Sequence, residues 1–161
     1  MVLKLSHLLL YNLFLFHMNK NILKQEEKHL YLLFFCFLPK IDNIDLMVEE
    51  FWIKHEKKIK TWYLKKRKKT DLVISASPTF LLKNICKKLE IMELIGTEIN
   101  LKTGELIGKN CKGEEKAKRY KMLYGEKKID EFYSDSKSDL PLKEISQKSF
   151  LVKKDKIKLW Q

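Results

Sequence analysis

A hydroxyl, an amine and two carboxylates stand at intervals that chemistry can use: Ser75, Lys112, Asp135 and Asp139. Asp135 and Asp139 belong to Ser134-Asp-Ser-Lys-Ser-Asp139, so two carboxylates and three hydroxyls share one short segment. Hard oxygen donors of that kind suit Mg²⁺. The same segment also reads as a polar capping loop, with Asp139 a natural cap for a helix after Pro141; spacing alone leaves both open. Lys112 stands with Gly113 at a predicted helix start, where the macrodipole disfavours a cation by roughly 0.3–1 kcal/mol. A bound anion would reverse that sign, because free backbone N–H groups and the amine would face it together. The plainer alternative is an exposed lysine, one of 33 Lys+Arg. Taken together, these side chains suit a phosphate held between a lysine and a magnesium ion.

Such a set needs a frame that gathers it. Leu72, Val73 and Ile74 form a short apolar run, and Ser77-Pro78 reads as a helix start with Ser77 as cap. Leu94–Asn100 and Glu105–Gly108 read as two strands joined by the turn Lys102-Thr103-Gly104. A helix from Gly113 to Leu123, a strand Ile129–Ser134, a helix Leu140–Ile145 and a strand Ser149–Val152 follow. Alternating strands and helices with short connections predict an α/β fold with a doubly wound, Rossmann-like parallel sheet. In such sheets ligands bind beyond the carboxyl ends of the strands. Ser75 and Asp135 fall there.

The first 70 residues read as helical, with breaks near Asn19–Asn21 and Pro39–Asp45. Leu3–Met18 is the most apolar stretch, but Lys4, Ser6, His7 and Asn12 interrupt it, and a spanning helix needs about 20 mostly apolar residues. Lys54–Lys69 carries nine basic residues against Glu56 alone, which is +8 of the total +12. That charge reads either as an electrostatic footprint for nucleic acid or anionic lipid, or as the solvated face of an amphipathic helix whose stripe includes Val48, Phe51, Trp52, Ile59, Trp62 and Tyr63. With 45% hydrophobic residues the chain has material for a core, which excludes wholesale disorder. Cys36, Cys86 and Cys111 are too scattered for a disulfide scaffold or a zinc site and read as reduced, cytoplasmic thiols.

The segments Asp71-Leu-Val-Ile-Ser-Ala-Ser-Pro78, Asn110-Cys-Lys-Gly-Glu-Glu115 and Phe132-Tyr-Ser-Asp-Ser-Lys-Ser-Asp-Leu-Pro141 resemble the haloacid dehalogenase superfamily, and within it the phosphoserine-phosphatase-like branch. The likeness runs from about Ile41 to Trp160. It implies a Rossmann-like core over residues 70–161, a helical cap over 1–69 with an atypical apolar 1–18, and Mg²⁺-dependent hydrolysis of a small phosphorylated metabolite. Carried over by position, Ser75 and Ser77 would bind the phosphoryl oxygens and Lys112 would neutralise nucleophile and phosphate. Asp135 would ligate Mg²⁺, and Asp139 would support that ligation or orient Lys112. No nucleic-acid or membrane partner is implied.

The family's nucleophile sits in a D-x-D-G-T segment ending the central first strand, its first aspartate taking the phosphoryl group. The seven aspartates here are Asp42, Asp45, Asp71, Asp130, Asp135, Asp139 and Asp155, and no two are spaced D-x-D. The expectation is therefore a chain that lacks both this segment and the central strand, through an incomplete N-terminus, and that is impaired in phosphoryl transfer. A non-catalytic phosphate- or partner-binding protein, and a basic nucleic-acid or membrane-surface binder, are the alternatives. Gly104-Glu-Leu-Ile-Gly108-Lys-Asn110 is one residue short of a phosphate loop, with Asn110 where Ser or Thr should stand.

Overall fold

The computed structural model describes residues 2–3 and 38–161. Seven strands form one sheet: β1 (Val2–Leu3), β2 (Leu72–Pro78), β3 (Glu93–Ile99), β4 (Leu106–Ile107), β5 (Ile129–Ser134), β6 (Ser146–Lys153) and β7 (Lys156–Leu159), in the order β4-β3-β2-β1-β5-β6-β7. The inner strands run parallel, while β4 and β7 add antiparallel edges. The helices are α1 (Ile44–His55), α2 (Thr61–Lys66), α3 (Thr79–Lys88), α4 (Glu114–Tyr124) and α5 (Leu140–Glu144). Alternation along the strands sorts the core into two layers. Val73 and Tyr133 pack with α1, α2 and α3 on one face, and Leu72, Ile74 and Phe132 pack with α4 and α5 on the other.

One expectation changes. The central strand is present: Val2 and Leu3 pair in parallel with Leu72 and Val73 on one side and with Phe132 and Tyr133 on the other. Two apolar residues suffice because both neighbours offer unpaired backbone there, and a gap would leave two open edges inside the sheet. The apolar run Leu8–Phe16 lies outside the described residues. Residues 38–69 pack directly on the sheet. Leu38, Phe51, Trp52 and Tyr63 belong to the same buried cluster as Val73 and Tyr133. The Trp52 indole N–H donates to the Leu81 carbonyl at 2.7 Å, and Trp62 stacks on Tyr133 with centroids 5.2 Å apart. The apolar stripe read from the sequence faces the sheet, as amphipathic helices over a sheet must.

β2 is longer than its apolar run. It continues through Ser75-Ala76-Ser77 because the ladder with β3 slips there: Ile74 pairs Ile95, and the next pair is Pro78 with Thr97. Three residues of β2 oppose Gly96 alone, so the strand bulges outward at the carboxyl edge. Ser77 therefore lies in the strand, and the N-cap of α3 is Pro78, with no side-chain cap bond. A Cβ on Gly96 would come within 2.7 Å of the Thr79 methyl and 3.1 Å of the Ser77 carbonyl oxygen. Gly96→Ala is expected to lower stability by about 1–3 kcal/mol, read from the urea midpoint, because the added methyl forces the bulge apart.

Candidate phosphate and metal site

The register places the outer parts of the site. β1 last pairs at Leu3, with Val73 and Tyr133 as its partners. Ser75 and Asp135 each lie two residues beyond those partners, so they stand level on the carboxyl edge, two strand positions apart with β1 between them. At about 4.8 Å per strand that leaves roughly 10 Å between their backbones, room for a phosphoryl group with its counter-charges. Ser75 is buried, and its Oγ accepts from the Ser77 N–H at 3.1 Å. Ser77 Oγ is fully buried and has no hydrogen-bond partner among the described residues. A buried hydroxyl in that state calls for a ligand or water.

The amine that reaches this edge belongs to Lys116, not Lys112. Lys112 is exposed, and its backbone N–H bonds the Asn110 carbonyl at 2.8 Å. Lys116 lies in the first turn of α4 with its side chain 1% exposed, and its Nζ donates to Asp139 Oδ1 at 2.9 Å. The Ser134 hydroxyl donates to Asp139 Oδ2 at 2.7 Å. Both carboxylate oxygens of Asp139 are thus engaged, inside the fold and away from water. An ion pair so buried holds only because each charge has its partner in good geometry. Asp139 anchors Lys116 from the turn after β5.

Two residues the sequence reading passed over hold α4 against the β2 bulge. Thr97 Oγ1 donates to the Ala76 carbonyl at 2.8 Å and accepts from the Cys111 N–H at 3.0 Å. It ties the strand carrying Ser75 and Ser77 to the loop preceding α4. Arg119, one turn past Lys116, donates to the Gly96 and Lys109 carbonyls, both at 2.5 Å, and to Glu115 Oε1 at 3.0 Å. That bond to Arg119 draws the Glu115 carboxyl below its usual range. Gly113, at φ +57°, turns the chain into α4 where an L side chain would be strained.

Asp135 is exposed at the end of β5. Among the described residues no group of three or more His, Cys, Asp or Glu gathers as a metal cage. Mg²⁺ is commonly held by one or two carboxylates together with substrate phosphate and water. Asp135 could supply one oxygen to an ion that arrives with phosphate, and the described residues do not form a closed cage. Cys111 is fully buried, and burial pushes its thiol up to about 11, so its closeness to the helix start does not activate it. Burial likewise pushes Cys86 up to about 12. The folded state keeps these protons longer than the unfolded chain. Their stabilising contribution is therefore whole below about pH 8.5 and is lost as pH rises towards the folded values. The urea midpoint is expected to fall between pH 9 and 11, and to fall less in Cys86→Ala measured against its own neutral-pH value.

A family model described as haloacid dehalogenase-like hydrolase matches residues 30–144. No curated protein and no solved structure gives a match.

Proposed function

The chain belongs to the haloacid dehalogenase-like hydrolases, and on that premise we propose that its carboxyl edge is a phosphomonoester site for a small phosphorylated metabolite, phosphoserine being one candidate. Members of this superfamily generally use Mg²⁺. The observation that carries the reading is the buried Lys116–Asp139–Ser134 group beside the β2 bulge. Ser75 and Ser77 would donate to phosphoryl oxygens, and Lys116, oriented by Asp139, would place positive charge where phosphate charge gathers. Asp135 would hold Mg²⁺, which when bound neutralises phosphate oxygens. A reduced, cytoplasmic setting accords with the two buried thiols among the described residues.

The residues that follow β1 are Lys4-Leu5-Ser6-His7, with no carboxylate among them, and no D-x-D pair exists in the sequence. Without an attacking aspartate the covalent route has no acceptor, whereas positioning and electrostatics need none. This favours a second reading, a protein that binds phosphate without turning it over. Incubation with p-nitrophenyl phosphate and Mg²⁺ decides between them. The expected result is no nitrophenol release above the protein-free rate, alongside measurable binding of inorganic phosphate. Steady release, abolished by Ser75→Ala, would restore full catalysis and overturn the argument from the missing nucleophile.

A further inference from the structure

The opposite edge of the sheet has a character of its own, and it owes nothing to the phosphate reading. The segments feeding β2, β3 and β5 converge at the amino ends of the strands. They carry Lys65 to Lys69, Lys87 with Lys88, and Lys127 with Lys128, all exposed. Some of this charge is spent internally: Lys69 pairs Glu90 at 3.1 Å, Lys88 pairs Glu56, and Arg67 donates to the Leu89 carbonyl. Lys65, Lys68, Lys87, Lys127 and Lys128 have no ion-pair partner among the described residues. Asp130 and Glu131 share a recess of about 380 Å³ with Lys66, Lys68 and Thr70.

Apolar side chains stand in the same place. Met92 is 82% exposed, Met122 75% and Leu123 66%. The Tyr124 hydroxyl donates to Glu93 Oε2 at 2.6 Å, which brings the end of α4, with Met122 and Leu123, against the start of β3, which Met92 precedes. Lysines and exposed aliphatic and thioether groups at the same edge of the sheet fit a surface that is anionic outside and apolar just beneath. Single-stranded nucleic acid asks instead for exposed aromatic platforms. The aromatic residues interleaved with the lysines, Trp62 and Tyr63, are turned into the core.

We propose that the amino edge of the sheet is a peripheral docking surface for an anionic lipid bilayer. Lys65, Lys66 and Lys68 meet the headgroups, Met92, Met122 and Leu123 enter the interface, and the phosphate edge is left facing away. This departs from the expectation that no membrane partner exists.

Co-sedimentation of the full chain with vesicles tests it. With 30% phosphatidylserine in phosphatidylcholine the protein is expected to pellet, and with phosphatidylcholine alone to stay in solution. Lys65→Glu/Lys66→Glu/Lys68→Glu is expected to weaken binding by roughly 100-fold or more, at about one tenfold step per lost charge or somewhat less. Met92→Gln/Leu123→Gln is expected to weaken it several-fold with the salt dependence unchanged. Far-ultraviolet circular dichroism and the urea midpoint confirm that each variant folds; should the triple variant fail there, Lys65→Gln/Lys68→Gln replaces it. Binding to neutral vesicles, or binding that survives charge reversal and so belongs to the apolar N-terminal run, overturns the proposal. So does duplex DNA or an acidic polypeptide bound as tightly as vesicles, with no effect of the apolar substitutions.

Discussion

Replacing Lys116 with methionine is expected to lower stability by about 3–5 kcal/mol, the cost of leaving a buried carboxylate without its counter-charge. Asp139 keeps the Ser134 hydroxyl in that variant but loses the adjacent positive charge, in a position closed to water. A domain of this size commonly has about 5–15 kcal/mol in all, so the variant stands close to unfolding at 37 °C. Lys116→Met/Asp139→Leu is expected to recover much of the loss, because apolar groups of similar volume remove the unpaired charge altogether. Lys112→Met changes an exposed side chain and is expected to stay within about 0.5 kcal/mol of the parent. Urea titrations of the four proteins give the pattern directly. Equal losses at positions 112 and 116 would remove the case for a buried anchor.

Trp52→Ala is expected to cost about 3–5 kcal/mol, as for other large aromatic side chains cut from a core. Trp52 is 2% exposed, meets Phe51 edge-on at 5.2 Å between centroids, and closes the junction between α1 and α3 through its bond to Leu81. Trp52→Phe keeps most of the apolar area and loses that hydrogen bond, for about 1–2 kcal/mol including the acceptor left behind. Unfolding of both variants, followed by fluorescence and by circular dichroism, is expected to remain a single coincident transition, since α1 and α2 share one cluster with the sheet. An independently folding cap over residues 1–69 would instead give two transitions, with only one moved by Trp52→Ala.

Much of the sheet was legible from the sequence because its elements carry local signatures. Ile129–Ser134 is read to the residue, and the helix after Gly113 falls within a residue at each end. The edge strand β7 escaped because Lys156-Ile-Lys-Leu159 alternates over only four residues and takes its form from pairing with β6. The central strand escaped for a related reason. Two residues have no periodicity, and only the vacancy between β2 and β5 explains why Val2–Leu3 lies there. Whether residues 38–69 stand apart or cover the sheet is likewise a tertiary matter, since an amphipathic stripe says that a face is buried and not against what.

Within the site, Asp135 could be placed just past a strand end because Ile129–Ser134 is read from its own run, whereas β2 continues beyond Ser75 to Pro78. The lysine that the fold buries lies one helical turn beyond Lys112. Adjacency to Gly113 favoured Lys112, yet the helix carried the better signal: Lys116, Ala117 and Tyr120 fall on one face at helical spacing, and all three are buried. A lysine on the inward stripe of a helix needs an acidic partner, and Asp139 is that partner. Thr97 and Arg119 had no such signal, since their partners are backbone carbonyls and amides brought close only by the fold.

The most direct measurement is calorimetric titration of inorganic phosphate, in the presence of Mg²⁺, into the parent chain and into Ser75→Ala, Asp135→Asn and Lys112→Met. The parent and Lys112→Met are expected to bind alike, while Ser75→Ala and Asp135→Asn each bind about tenfold more weakly, the equivalent of one lost hydrogen bond or ligand oxygen to a charged group. Phosphate bound equally by all four proteins, or weakened only by the change at Lys112, would contradict a shared rim formed by the ends of β2 and β5.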